Sequence, residues 1–259
     1  MKFITSRDNP TLKTLRALIC DARKLRTSGR AILEGPHLVG AALQQGVLPD
    51  LLVVGEGATR NPEVAALMAR LPGVETLCLP DTLFGSLSEL AAPVGLLARI
   101  AVPPAPTCLP AGDCLVLDAV QDAGNVGTLL RTAAAAGVRD VLLGAGCAGA
   151  WTSRVLRGAQ GAHFSLHIRE QVDLPAMLRQ YAGVAIATVA RDGQPLYALD
   201  LSPPLAWLFG NEGAGLSPEV AGLARQRATI PLAAGSESLN VAAAAAVCLF
   251  EMRRQREFR

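Results

Sequence analysis

The most constraining feature of this sequence is the alternation of short apolar runs with helical segments in its second half. A segment of helical composition, residues 124–136, lies between the first two runs. Such alternation predicts an α/β fold in which a mostly parallel sheet carries helices on both faces. Because parallel α/β sheets bind ligands at the carboxyl ends of their strands, we expect the functional site in the loops that follow. The predicted strands are residues 114–118, 141–143, 184–189, 205–209 and 229–232.

A proline-rich stretch separates this half from the residues before it. Residues 102–113 contain four prolines, which is typical of a linker. The residues before the stretch also alternate between strand-like and helical patterns, so they predict a smaller α/β domain. The sequence therefore predicts an N-terminal domain at residues 1–101, a linker at 102–113 and a second domain at 114–259.

The overall composition excludes several classes of protein. Hydrophobic residues make up 51% of the 259 residues and charged residues 18%, which excludes a disordered chain. The longest unbroken apolar run, residues 241–250, is too short to cross a bilayer. No signal peptide is evident at the start, and the six scattered cysteines form no CxxC pair. We expect a soluble cytoplasmic protein with reduced thiols.

Positive charge is concentrated at the N-terminus. The formal net charge is only +2, yet residues 1–30 hold eight basic and two acidic residues. On one predicted helix, Leu15, Leu18 and Leu25 fall on one face and most of the basic residues on the other. That basic face is either simply solvated or a surface that meets phosphates, and we take the second as the hypothesis. The candidate RNA-binding residues are Arg7, Lys13, Arg16, Arg23 and Lys24.

The loop after the first strand of the second domain contains the first candidate site. Asn125 is predicted to be the N-cap of the following helix and Gly137 to end that helix. Arg131 lies on the same helix among leucine, threonine and alanine residues. It is either a salt-bridged surface arginine or a bidentate ligand of a phosphate.

Two further loops contain candidate site residues. Residues 210–218 combine three glycines with Glu212, which follows a buried strand almost directly. Residues 230–241 include Ser238, a possible helix N-cap, and Asn240, which we place in the first helical turn. Five consecutive alanines follow, and small side chains of this kind permit close approach of another backbone.

Two other patterns are weak. Residues 144–149 match GxGxxG and would suit a dinucleotide-dependent oxidoreductase, but they follow the second strand of the domain rather than the first. His163 and His167 are predicted to share one face of a strand. Because no third ligand is evident, we predict no metal site.

Taken together, the three loops resemble the SpoU/TrmH family of RNA ribose 2'-O-methyltransferases, in the SPOUT superfamily. The matching segments are LDAVQDAGNVGTLLRTAAAAGV, LFGNEGAGLSPEV and IPLAAGSESLNVAAAAAV, in that order within residues 115–256. The N-terminal segments RDNPTLKTLRAL and ILEGPHLVGAAL are similar to the L30e-like substrate-binding domain of many ribosomal-RNA members. The sequence departs from the family pattern at Trp151 and Gln160.

The resemblance implies a deep trefoil knot, a homodimer and S-adenosylmethionine as cofactor. It places Gly210, Ile230 and Leu239 in the cofactor pocket. It also implies an RNA substrate, with ribosomal RNA favoured over transfer RNA; a non-catalytic RNA-binding protein that retains the fold is the alternative. The implied catalytic positions are Asn125, Arg131, Glu212, Ser238 and Asn240.

Overall fold

A computed structural model describes residues 1–257. The strands are β1 (Lys2–Phe3), β2 (Arg30–Glu34), β3 (Pro49–Gly55), β4 (Glu75–Leu79), β5 (Leu96–Ala101), β6 (Cys114–Leu117), β7 (Asp140–Gly144), β8 (His167–Val172), β9 (Val184–Thr188), β10 (Gln194–Pro195), β11 (Leu205–Phe209) and β12 (Gln226–Thr229). The α-helices are α1 (Pro10–Cys20), α2 (Ala22–Ser28), α3 (Pro36–Gln44), α4 (Pro62–Ala69), α5 (Asp81–Gly85), α6 (Ala123–Ala136), α7 (Ser153–Ala159), α8 (Leu174–Gln180), α9 (Pro218–Gly222) and α10 (Val241–Glu257).

The first of two compact units is formed by Met1–Pro103 together with Trp151–Phe164. Its five-stranded sheet has the order β1-β4-β3-β5-β2, in which β5 runs antiparallel to β2 and β3. Buried leucines of α1 pack with apolar side chains of β2, β3 and β4 in one core cluster. The predicted α/β character of this part is confirmed.

The basic N-terminal segment forms two helices, so the prediction of one continuous helix is wrong. The chain breaks at Asp21, where the backbone is extended and the side chain accepts hydrogen bonds from the N–H groups of Arg23 and Lys24. Those bonds cap α2 and stop α1 from continuing. The apolar face is as predicted, because Leu15 and Leu25 are both buried.

The segment Trp151–Phe164 lies outside the predicted N-terminal domain but belongs to the first compact unit. Within that unit, α7 contacts β2. The Arg157 guanidinium donates a hydrogen bond of 3.3 Å to Glu89 and lies 3.7 Å from the carboxylate of Glu34. A Cβ atom on Gly161 would lie only 2.7 Å from Cβ of Ala41, so this close packing requires a glycine. The functional division at residues 1–101, 102–113 and 114–259 stays a prediction.

The second unit comprises Pro104–Ala150 and the described residues from Ser165 onward. Its seven strands are all parallel, in the order β10-β12-β9-β11-β6-β7-β8. Every residue of β6 and β11 is buried, as expected for strands covered on both faces. The predicted parallel sheet is therefore confirmed.

Two local predictions in this half are wrong. The last strand is Gln226–Thr229 rather than residues 229–232, and Pro231, which has no N–H to donate to a ladder, lies beyond its end. His163 does not share a strand with His167. It is buried in a short 3-10 turn, 4.9 Å from the ring of Trp151, whereas the exposed His167 begins β8.

Residues 1–257 provide neither a membrane-spanning helix nor a metal-binding cluster. No helix in that range is long and apolar enough to cross a membrane. Within the same range, no group of three or more histidine, cysteine, aspartate or glutamate side chains is arranged to hold a metal ion.

Candidate active site at the carboxyl edge of the parallel sheet

A cavity of about 560 Å³ opens where β9, β11 and β12 end. Its walls include Thr188 and Phe209, the last residues of β9 and β11. Such a volume suits a small ligand of nucleoside size. The cavity is lined by the three residues that the family resemblance placed in a cofactor pocket, Gly210, Ile230 and Leu239.

The glycine-rich loop after β11 forms part of the wall and is tightly folded. Asn211 and Gly215 exchange two backbone hydrogen bonds of 2.9 Å. A Cβ atom on Gly210 would lie 2.2 Å from the carbonyl carbon of Gly215, so only glycine fits at this position.

The Asn211 side chain supports the same loop. Its Oδ1 accepts hydrogen bonds from the N–H groups of Gly213 and Ala214, and its Nδ2 donates to the carbonyl of Ala119. Sequence reasoning missed Asn211, although an asparagine beside glycines at a strand end is typical of an Asx turn.

Three candidate side chains from three separate segments, each after a different strand, form one hydrogen-bonded chain. Asn240 Nδ2 donates to Asn125 Oδ1 at 2.9 Å. Asn125 Nδ2 donates in turn to Glu212 Oε1 at 2.8 Å. The parallel sheet brings these residues together because β6, β11 and β12 end at the same edge. Each of the three residues comes shortly after one of those strands.

The environment of Glu212 favours its ionised form. Partial burial of the carboxyl group opposes ionisation, but hydrogen bonds from Asn125 and from backbone N–H groups outweigh that effect and lower the pKa of Glu212 below its ordinary value. The N–H groups of Gln121 and Asp122 lie 3.5 and 3.4 Å from its two oxygens. Glu212 therefore acts here as an acceptor of hydrogen bonds.

The helix caps differ from those predicted. Asp122, not Asn125, is the N-cap of α6, and its carboxylate accepts a hydrogen bond of 2.7 Å from the N–H of Asn125. Asn240 is the capping residue before α10, since its Oδ1 accepts from the N–H groups of Ala242 and Ala243. Ser238 caps no helix; it is exposed and lines the cavity.

Arg131 is not joined to this cluster. It lies in the third turn of α6 and is exposed, and it is absent from the described lining of the cavity. Within residues 1–257 its guanidinium has no hydrogen bond or ion pair to another side chain, so of the two alternatives for Arg131 the salt-bridged surface arginine is wrong. Its charge is available to a ligand.

The predicted RNA-binding residues lie on or next to α1 and α2. Arg7, Arg23 and Lys24 are exposed. Lys13 forms an exposed ion pair of 2.8 Å with Asp8, and Arg16 donates a hydrogen bond of 3.3 Å to Ser86.

Comparison with known proteins supplies the decisive observation. The family described as the SpoU rRNA methylase family matches residues 113–250, more than half of the chain. This protein belongs to the SpoU rRNA methylase family. A second family, the MRM3-like substrate-binding domain, matches residues 9–98. The resemblance seen in the sequence is thus confirmed, and the family match spans all three loops of the candidate site.

Individual relatives match this SpoU family member over nearly its whole length. It is 34% identical to the 23S rRNA (guanosine(2553)-2'-O)-methyltransferase RlmP of Bacillus subtilis, over 98% of this chain and 100% of the relative. It is 36% identical to an uncharacterised tRNA/rRNA methyltransferase of Synechocystis, over 97% and 93% of the two chains. The crystal structure of an AdoMet-bound rRNA methyltransferase from Sinorhizobium meliloti superimposes with a TM-score of 0.85 at 30% identity, covering 98% of each chain.

Proposed function

We propose that this protein transfers a methyl group from S-adenosylmethionine to a ribose 2'-hydroxyl of ribosomal RNA. The observation that carries the proposal is the Asn240–Asn125–Glu212 chain of hydrogen bonds beside a nucleoside-sized cavity. Family membership and the rRNA methyltransferases among its relatives support the same reaction. Only RNA has the 2'-hydroxyl, so RNA is the substrate class.

The cavity fits the proposed cofactor. Ile230, Leu232 and Leu239 provide apolar wall for an adenine ring, and Gly210 lets the loop fold tightly against the backbone of Gly215 and so shape the wall. When bound, the cofactor supplies an electrophilic methyl group on a sulfonium. The protein has to hold the ribose oxygen in line with that methyl group and assist removal of the hydroxyl proton.

The lowered pKa of Glu212 assigns it a supporting role. A carboxylate with a depressed pKa is a weak general base, and its oxygens already accept hydrogen bonds. Glu212 therefore holds Asn125 in place, and Asn240 supports Asn125 from the other side. We assign Asn125 and Asn240 to orientation of the ribose and Ser238 to holding its loop.

Arg131 is assigned to the substrate phosphate. A guanidinium has a very high intrinsic pKa and is a poor base, whereas its pairing with phosphate is bidentate and retains the charge. In this mechanism Arg131 binds a phosphate next to the reactive ribose, and that phosphate accepts the proton. The alternative, in which Arg131 itself is the base, is tested by a lysine variant described below.

RNA recognition is assigned to the first compact unit. The match of residues 9–98 to a substrate-binding domain supports this assignment, as do the exposed basic residues on α1 and α2. The favoured substrate is ribosomal rather than transfer RNA, and guanosine in large-subunit RNA is the first target to examine because RlmP acts there.

Four finer expectations belong to this proposal. The family resemblance supports a trefoil knot in the second unit and an L30e-like fold in the first. It also supports a homodimer. A ribosomal-RNA substrate favours action in the cytoplasm.

The reaction is tested with tritiated S-adenosylmethionine. Total ribosomal RNA and total transfer RNA from cells that lack the gene are offered separately to the purified protein. We expect label in ribosomal RNA at one position that resists alkaline cleavage, and none with Arg131→Ala. Label in transfer RNA alone would overturn the assignment of substrate. Cofactor binding without label in either RNA would favour a non-catalytic RNA-binding protein, unless pre-assembled ribosomal subunits restore methylation.

A further inference from the structure

Acidic side chains outnumber basic side chains in the wall of the cavity. Among the described residues of its wall, Glu212 and Glu237 are acidic and Arg191 is basic. S-adenosylmethionine has two cationic groups, the sulfonium and the ammonium, and one anionic group, the carboxylate. Two carboxylates and one guanidinium are the complement of that set.

The segment that contains Arg191 is fixed to the wall of the cavity at both ends. The N–H of Val189 donates to the carbonyl of Ala228 at 2.9 Å, and the N–H of Gly193 donates to Oγ1 of Thr229 at 3.0 Å. Ala228 itself lines the cavity. The short connection between β9 and β10 thus keeps Arg191 at the cavity.

The guanidinium of Arg191 is free to pair with a ligand. Within residues 1–257 it takes part in no hydrogen bond or ion pair, whereas arginines elsewhere in the second unit, such as Arg179 and Arg256, are paired with carboxylates. Glu212, a carboxylate of the same cavity wall, is instead held by Asn125 and the backbone.

We propose that Arg191 binds the carboxylate of the methionine end of S-adenosylmethionine and so selects a ligand with an intact amino-acid group. This inference rests on the proposed function. It gives Arg131 and Arg191 different ligands: Arg131, outside the described cavity lining, binds the RNA phosphate, and Arg191, within that lining, binds the cofactor.

The test compares two ligands by calorimetry in the absence of RNA. S-adenosylhomocysteine retains the carboxylate, and 5'-methylthioadenosine lacks the whole amino-acid group. For Arg191→Ala we expect the affinity for S-adenosylhomocysteine to fall on the order of tenfold to hundredfold, as for loss of a hydrogen-bonded ion pair. The affinity for 5'-methylthioadenosine should stay within about twofold of wild type, which also shows that the cavity is intact.

Two further variants sharpen the comparison. Arg191→Lys retains the charge without the planar fork and should lie between wild type and Arg191→Ala. Arg227→Ala is the matched control, because Arg227 is exposed and unpaired within the described chain but projects from the opposite face of β12 to Ala228. It should bind both ligands as wild type does.

Other results would overturn the inference. Equal losses for both ligands would mean that Arg191 only supports the fold of the cavity. Unchanged affinity for S-adenosylhomocysteine, together with a raised KM for RNA, would assign Arg191 to an RNA phosphate instead. If wild type bound neither ligand, the proposed function itself would fail, which is a different outcome from failure of the Arg191 variants alone.

Discussion

Asn125 and Glu212 are joined by a hydrogen bond of 2.8 Å although they are 87 positions apart in sequence. One residue lies in the first turn of α6, and the other lies in the loop after β11. The bond helps to hold Glu212 in its ionised form and fixes the Asn125 amide, whose oxygen then accepts from Asn240. Protonation of one carboxylate is therefore expected to loosen the contact between all three loops.

The first prediction concerns acid stability and the variant Glu212→Gln. Because the pKa of Glu212 is lower in the folded protein than its ordinary value, its contribution to stability is present above the ordinary value and is lost as the pH falls through the lowered one. Glu212 is exposed, so we expect wild type to melt only about 2–4 °C above the variant near neutral pH. The difference should shrink as the pH falls below the ordinary pKa of a glutamate.

Melting curves from pH 7 to 3 measure this difference, with Glu237→Gln as control. Glu237 is an exposed carboxylate of the same cavity that accepts no hydrogen bond within the described chain, so its variant removes the charge alone. A difference between wild type and Glu212→Gln that grew as the pH fell would contradict the prediction.

The second prediction compares two glycines of one loop. Gly210→Ala forces a Cβ atom to within 2.2 Å of the Gly215 backbone, so the loop must move. In Gly213→Ala the new atom meets only Oδ1 of Asn211, at 3.6 Å. Calorimetry should show that Gly210→Ala binds S-adenosylhomocysteine at least about tenfold more weakly than wild type, because the strain of overpacking shifts the loop that lines the cavity. Comparable affinities for the two variants would show that the loop does not shape the ligand site.

The third prediction separates the two roles considered for Arg131. If Arg131 binds a phosphate through both arms of its guanidinium, Arg131→Lys should lose about tenfold or more in kcat/KM and retain the pH profile of wild type. The readout is the methylation rate between pH 6 and 10. A lysine loses its proton more easily than an arginine. Substantial activity with a shifted pH profile would therefore identify this position as the base.

The fourth prediction concerns the basic surface of α2. Arg23→Ala combined with Lys24→Ala should weaken RNA binding and reduce the slope of log affinity against log salt by up to about two, because each residue neutralises one phosphate. Arg60→Ala is a control with an exposed arginine of the same unit that has no ion pair within residues 1–257. An unchanged salt slope in the double variant would place the RNA surface elsewhere.

The arrangement of the site was largely predictable because parallel strands end at one edge. From the order of apolar runs alone, the loops that contain Asn125, Glu212 and Asn240 were expected to meet, and they do. The cavity lining of Gly210, Ile230 and Leu239 needed the family resemblance, since glycine and leucine have no side-chain chemistry that marks a ligand site.

Other features depend on contacts that local patterns do not reveal. Asp122 and Asn125 are both good capping residues, so residue type does not show which of them caps α6. The helix begins after Asp122, whose backbone N–H faces Glu212 from a distant part of the sequence. Asp21 interrupts a helix that periodicity alone would continue. Arg191 gave no signal in the sequence, because its place in the cavity wall follows from the pairing of β9, β10 and β12.

The path of the chain through the two units limits how their parts can be exchanged. The chain leaves the second unit after Ala150 and returns to it at Ser165. A fragment that ended at Pro103 would lack Arg157, whose guanidinium lies 3.7 Å from the carboxylate of the buried Glu34 side chain. The part of the coding sequence up to residue 103 therefore does not encode the whole of the first unit. A recombinant that moved the substrate-binding part onto another enzyme would have to carry residues 151–164 with it.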